Sequence, residues 1–400
     1  MGAVAVASAT EWSAMAKTSG LFESLYQMLF EVQGMKLREQ VSTSLCNLMQ
    51  DPATSRLAIR ELGALPKLQR LLREQLGSVV LDRALAAAVM RMCHGGAAEV
   101  ADMDEKQLSG IVWLLRHQDT QVLCYACVTL WLLARDHSHR KALGKLWAVD
   151  GLLSLITANT GLPLKVEALA ALWILSCDKE NAIRVAMKGG LTTLVGMLLF
   201  PNERAYIKLK TLATGVLFKL SENEDILTLM LQLDLMTALV GVVTAPECSV
   251  YLNTLAGGLI FSISQRCKGE LAHIRELRGE LVLEDLCTRY VKSESEGLRA
   301  VGALCAASLA MKSRSRKALH SLGCIQGLCR TLKRPEPSPQ LLLRSLHALL
   351  NLSTEEACQR TICKHALLPL VALADPANAS SIDDTASRLR DFAASILGNL

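Results

Sequence analysis

Aromatic residues make up only 4% of the 400-residue chain, and prolines number ten. Strand-rich proteins lean on aromatic and β-branched side chains. Their scarcity, in a chain that is 51% hydrophobic and dominated by Leu and Ala, points to helices packed on helices. Ten prolines and 25 glycines are too few for a collagen-like or largely disordered chain. No apolar run approaches the roughly 18 residues needed to span a membrane. The longest are Ala126 to Ala134, "ACVTLWLLA", and Leu191 to Phe200, "LTTLVGMLLF". The mean hydropathy is nevertheless +0.28, so the apolar content must be buried by protein, and membrane insertion is not expected.

Neither sign of charge is in large excess. The net charge is +5 from 43 basic and 38 acidic residues. The basic residues are scattered rather than striped, which argues against nucleic-acid binding. The segment "MGAVAVASA" has no basic stretch ahead of an apolar core, so it does not read as a secretion signal. Val6 stands where N-myristoylation requires Ser or Thr. Thirteen cysteines is an odd count, and most sit in apolar helical segments, among them Cys46, Cys93, Cys127, Cys177 and Cys305. A reducing compartment without disulfides follows as the expectation, the cytoplasm first and the nucleus second.

Catalytic signatures are missing too. The chain contains no GxxxxGK[ST], GxGxxG, HExxH or GxSxG, so no enzymatic activity, cofactor or small-molecule substrate is expected. "CYAC", Cys124 to Cys127, is a CxxC with His137 and His139 further on. A structural zinc needs four converging ligands. This CxxC lies inside an apolar helical run and has no second CxxC, so a core role without metal is expected. His94 and His273 have no identifiable partner. "KSRSRK", Lys312 to Lys317, reads as a solvated face.

What the chain does have is a repeat. "ALLNLS" around Asn351 has relatives centred on Asn47 ("SLCNLM"), Arg91 ("AVMRMC"), Leu132 ("TLWLLA"), Ile174 ("ALWILS"), Lys219 ("VLFKLS") and Ser262 ("LIFSIS"). A looser one centres on Ala306 ("ALCAAS") and could slip by three residues to Leu309. The last is at Asn399 ("ILGN"). The steps are 44, 41, 42, 45, 43, 44, 45 and 48 residues. Periods of about 40–47 with two or three helices per unit belong to HEAT and armadillo arrays. A second marker follows most centres: Gly63, Gly151, Gly190, Asp234, Gly323 or His365 opens a further apolar helix. Glycine suits a sharp bend between helices because it tolerates positive φ.

The segments Ser44 to Leu72, Ala171 to Leu199 and Ala348 to Ala374 carry a resemblance to the armadillo-repeat family over nearly the whole chain. HEAT repeats are the neighbouring alternative; the glycine between a short and a medium helix favours armadillo. The resemblance implies an all-α fold: a right-handed α-solenoid, or superhelix, without β-sheet. It implies a single array of about nine units over 1–400, the first and last incomplete, so the chain reads as a piece of a longer array or one with ragged ends.

It further implies a non-enzymatic scaffold that holds proteins or extended peptides in a groove. In the family, the asparagine at the Asn351 position bridges a bound peptide backbone. Carried over, the groove would be lined by Asn47, Arg91, Leu132, Ile174, Lys219, Ser262, Asn351 and Asn399. A structural role for the asparagines, and an unused groove in the middle of the array, remain the competing readings. Small residues one turn earlier, Ala87, Ala170, Gly215, Gly258 and Gly302, permit close packing, the favoured reading, or leave space for a ligand. One alternative is the substrate-binding portion of a larger enzyme such as an E3 ubiquitin ligase, though the chain holds no U-box. A nuclear-import adaptor is disfavoured because no WxxxN occurs: Trp131 and Trp173 directly precede their centres. Circular dichroism should show dominant helix with essentially no sheet, and small-angle scattering an elongated particle; substantial strand content would sink the solenoid assignment.

Overall fold

The computed structural model describes residues 20–95, 103–201, 203–233, 235–244, 249–266, 282–335, 338–375 and 384–400. Asp234 and His273 lie outside these. Among the described residues there are helices and turns and no strand. The chain forms two compact units, with the boundary between Leu194 and Val195.

In the first unit four helices stack side by side in chain order: α2 (Met35–Leu48), α5 (Val79–Gly95), α7 (Thr120–Leu133) and α10 (Leu162–Leu175). α1 (Leu21–Glu31) packs on α2. Between the stacked helices run α3 (Pro52–Arg60), α4 (Ala64–Arg73), α6 (Glu105–Trp113), α8 (His137–Lys145) and α9 (Ala148–Thr157). α11 (Lys179–Met187) and α12 (Gly190–Leu198) follow α10. The second unit stacks α13 (Arg204–Leu220), α16 (Val250–Arg266), α18 (Glu296–Leu309), α21 (Pro339–Leu352) and α23 (Asp384–Asn399). α14 (Glu224–Leu231), α15 (Leu235–Thr244), α17 (Val282–Val291), α19 (Ser313–Ser321), α20 (Cys324–Leu332) and α22 (Glu356–Ala374) connect them.

The stacked helices are apolar nearly all round because each inner one has a neighbour on two sides. Leu123, Ala126, Cys127 and Leu130 of α7 are buried, as are Leu169, Ala171 and Leu172 of α10. Burial of one large aliphatic side chain contributes about 1.5–3 kcal/mol. Cys127 is packed in this core, and burial pushes its thiol well above the ordinary range. Among the described residues no group of His, Cys, Asp and Glu is arranged to hold a metal ion. Close packing also explains a small residue: a Cβ on Gly302 would lie 2.6 Å from the Val291 amide nitrogen.

Six stacked helices end on a leucine: Leu48, Leu133, Leu175, Leu220, Leu309 and Leu352. A few residues later a short helix begins. In four places its first residue is preceded by an acid or amide that accepts backbone N–H groups: Asp51, Asp136, Asp178 and Asn223. Such a cap satisfies donors that have no partner within the helix. Lys312 and Glu355 occupy the same place without capping. Glu355 instead holds the basic hexamer, with Arg316 at 3.4 Å and Lys317 at 3.7 Å.

The bends between short and medium helices correct two expectations. Gly63 and Gly323 do take left-handed conformations, with φ of 53° and 78°. Gly190 opens α12 as expected, with the left-handed residue just before it at Gly189, φ 77°. Gly151 lies inside α9, where the missing Cβ admits the Leu115 side chain. The bend before α9 falls on Trp147, φ 70°. At His365 there is no bend: with no glycine to reverse the chain, α22 runs through from Glu356 to Ala374 and carries Pro369 within it.

A side chain at positive φ is strained. Trp147 is 57% exposed, yet the Arg184 guanidinium sits 4.8 Å from its ring centre and the Lys188 ammonium 5.9 Å. These contacts offset part of the strain. Trp147→Gly should therefore be better tolerated than Trp147→Ala by roughly 1 kcal/mol, because alanine loses the ring and keeps the strain. Hydrogen exchange of the α8–α9 amides checks this; equal protection in both variants would show that the backbone there is relaxed.

Candidate functional site

The stacked helices share one feature at their C-terminal ends. After the last helical turn the cap N–H bonds four residues back and the next two N–H groups only three back. In α2, Met49 N bonds Leu45 O, Gln50 N bonds Asn47 O and Asp51 N bonds Leu48 O. The same sequence of bonds closes α7, α10, α13 and α18. The tightening skips one carbonyl, that of the residue before each repeat centre: Cys46, Trp131, Trp173, Phe218 and Ala307. In α21 the corresponding residue is Leu350. This register identifies the centre in α18 as Ser308, whose carbonyl accepts from Met311 N. Ala306, two residues earlier, is buried at 0% exposure in the core, so the sequence-based alignment slips here.

A helix-end carbonyl without a helical partner seeks a donor. Two solutions occur. In the first, the next repeat's centre reaches back: Arg91 Nη1 donates to Cys46 O, and Asn351 Nδ2 donates to Ala307 O at 2.8 Å. In the second, the residue after the terminal leucine turns its own hydroxyl inward. Ser221 Oγ donates to Phe218 O and Ser353 Oγ to Leu350 O, both at 2.7 Å. Asn399 Nδ2 then donates to Ser353 Oγ at 2.8 Å, which joins α23 to α21. At Trp173 O the donor is the Cys177 thiol at 3.8 Å, a weak bond.

Two of the three repeated asparagines, Asn351 and Asn399, thus have structural partners. Asn351, half-buried, ties two stacked helices together and does not simply face solvent. Asn47 is exposed. Leu132, Ile174 and Ser262 are half-buried. Lys219 pairs with Glu222 at 2.8 Å on the loop that follows its own helix.

Two predicted positions are brought together. Arg91 and Leu132 line an open cavity of about 300 Å³ in the first unit, with Met49, Gln50, Met90, His94, Gly95 and Val128. Its apolar lining is methionine and aliphatic, and its polar groups include the Arg91 guanidinium and the exposed His94. The added residues lie within four positions of the centres 47, 91 and 132. Reading outward by one helical turn from each centre would have found them. Trp131, 36% exposed, has the Arg135 guanidinium 5.9 Å from its ring centre.

A buried acid–imidazole pair lies elsewhere in this unit. His117 Nε2 faces Asp82 Oδ2 at 3.3 Å, and its Nδ1 accepts from Asp119 N at 3.0 Å. Asp119 pairs with Arg83 at 2.7 Å and accepts N–H groups at the start of α7. Burial pushes the Asp82 carboxyl up, and the neighbouring His117 draws it partly back. Both imidazole nitrogens are engaged, so the pair joins α5 to the start of α7.

No family model matches the chain, and no curated protein matches it. Solved structures do. A crystal structure described as an engineered protein, a structural-genomics target, is 17% identical with a TM-score of 0.76, covering 98% of this chain and 91% of its own. A designed armadillo repeat protein is 18% identical with a TM-score of 0.53, covering 60% of this chain and 99% of its own. A second engineered target is 18% identical with a TM-score of 0.53, covering 61% and 96%. The chain therefore has an armadillo-like repeat fold, an all-α solenoid. No helix among the described residues is long and apolar enough to cross a membrane.

Removing the Asn351 amide should cost about 0.5–1.5 kcal/mol of local stability, the worth of one hydrogen bond. Asn351→Asp should cost at least as much as Asn351→Ala, since a carboxylate presents only acceptors to the Ala307 carbonyl. Denaturant titration of the three proteins at pH 7 decides the point; an unchanged Asn351→Asp variant would return this residue to a solvent-facing role.

Proposed function

We propose that the chain is a non-enzymatic scaffold that binds partner proteins through extended segments laid across its stacked helices. The observation that supports this most is the cavity joining Arg91 and Leu132. It offers apolar side chains beside a guanidinium, a composition that accepts an aliphatic residue beside a backbone carbonyl or acid. It lies where three consecutive stacked helices end, so a segment crossing it would meet equivalent positions in successive repeats. The array is read as about nine repeats, with centres at 47, 91, 132, 174, 219, 262, 308, 351 and 399. In the first unit Ile174 continues the surface. In the second, Lys219 and Ser262 stand at the equivalent positions. Asn47, Asn351 and Asn399 offer amide oxygens for a peptide backbone, the last two in addition to the bonds they make within the fold. The compartment that suits free thiols is the cytoplasm or nucleus.

The test compares two baits. Wild-type chain and Leu132→Asp are used for affinity capture with quantitative mass spectrometry, and the captured proteins are then titrated individually. A carboxylate at this cavity-lining position should weaken the direct partner at least tenfold, about 1.4 kcal/mol, with the helical circular dichroism unchanged. Equal affinity for both baits would place the binding surface away from the stacked-helix ends.

A further inference from the structure

A second cavity, in the second unit, has a different composition. It measures about 290 Å³ and lies between the end of α17, the first turn of α18 and the end of α20. Five cations line it: Lys292, Arg299, Arg330, Lys333 and Arg334. Glu294 is the one carboxylate on its wall. It pairs with Arg334 at 2.9 Å but is itself 91% exposed, so the pair is weak and easily exchanged. Lys292 donates to the Leu322 carbonyl at 3.0 Å. No ion-pair partner for Arg330 or Lys333 occurs among the described residues.

Arg299 makes this more than a basic surface. It is 7% exposed. Its Nη1 donates to the carbonyls of Ser293 at 3.0 Å and Glu294 at 2.6 Å, just past the C-terminus of α17. That accounts for its position. It does not account for its Nε–H, which is buried and has no acceptor. Nor does a direct ion pair supply a counter-charge: among the described residues no carboxylate pairs with this guanidinium, and Glu296 and Glu294 act on it only at a distance. A buried cation without a paired anion is costly, and here further cations crowd it. Burial, followed by the nearby Arg334 charge, pulls the Arg299 guanidinium below its ordinary range. A packing role alone would favour an apolar or neutral residue at the same volume.

We propose that this cavity binds a phosphate monoester dianion, with Arg299 at its base and Arg330, Lys333 and Arg334 at its rim. Guanidinium groups match the geometry of phosphate oxygens through paired N–H donors. A dianion offsets two of the excess charges. The cavity has room for a phosphoryl group and a few atoms of its carrier, while a whole nucleotide would stand mostly outside it. The carrier is a phosphorylated protein side chain or a small phosphate ester. This site does not depend on the stacked-helix reading: it lies in the other unit and is tested with other probes.

The experiment uses the full chain and three probes: inorganic phosphate, a randomised peptide pool with a central phosphoserine, and the same pool with serine. Calorimetric titration should show saturable phosphate binding, and the phosphoserine pool should bind at least tenfold more tightly than the serine pool or match inorganic phosphate. Tighter binding of the phosphoserine pool than of phosphate assigns the carrier to a protein; equal binding assigns it to a small ester. The variant Arg330→Glu with Lys333→Glu changes two rim side chains, so folding should survive, and it should lose at least tenfold for phosphate with its melting temperature unchanged. Arg299→Met should lose phosphate binding too, and the rim variant keeps the test valid if Arg299→Met fails to fold. Absence of saturable phosphate binding by the wild-type chain, or equal binding by the rim variant, would overturn the proposal.

Discussion

Everything in this fold depends on one helix lying against the next of its kind. No repeat has enough partners to bury its own apolar faces, so Leu130 of α7 or Leu169 of α10 reaches full burial only because the neighbouring repeat is present. This explains the composition. Leucine, alanine and cysteine fill positions between stacked helices where large aromatic rings would hold them apart. It also explains why glycine occurs at close contacts such as Gly302, against the Val291 backbone.

Stacking creates a second problem at the helix ends. Each long helix must stop and turn into the short one, and the tightening turn leaves one carbonyl without a helical donor. The chain meets this need with whatever the local sequence offers. Arg91 and Asn351 reach across the stack, Ser221 and Ser353 bond within their own turn, and Cys177 provides a weak substitute. The variability of the centre position follows. It need not reach back where a serine in the preceding repeat already bonds the carbonyl, as Ser221 does for Phe218 O ahead of the centre at Ser262. The apolar centres Leu132 and Ile174 have no hydrogen-bonding side chain and add apolar surface instead.

The two cavities show how one architecture carries different chemistry. In the first unit, the ends of three stacked helices bring methionines and aliphatics beside a guanidinium. In the second, the loop after α17 and the end of α20 gather five cations around a recess with one exposed carboxylate. The stack supplies rigidity in both places, and the loops and helix ends supply the groups that face outward.

The sequence by itself determined the helical class, the repeat of 41–48 residues and the positions where most of the short helices begin. Those properties depend on local pattern: leucines at helical spacing, an acid or amide three residues after the terminal leucine, a glycine where the chain must reverse. Local pattern failed where another element decided the outcome. Trp147 takes a glycine's conformation with Arg184 of α11 and Lys188, just past its end, against its ring. Gly151 is needed for the approach of Leu115, not for a bend. Ser308, not Ala306, is the centre of its repeat because the hydrogen-bond register of α18 places it there. The partner of Asn351 lies 44 residues away in sequence, and the five cations of the basic cavity are spread from Lys292 to Arg334. Such groupings depend on how one repeat sits on another, and only the tertiary structure decides that.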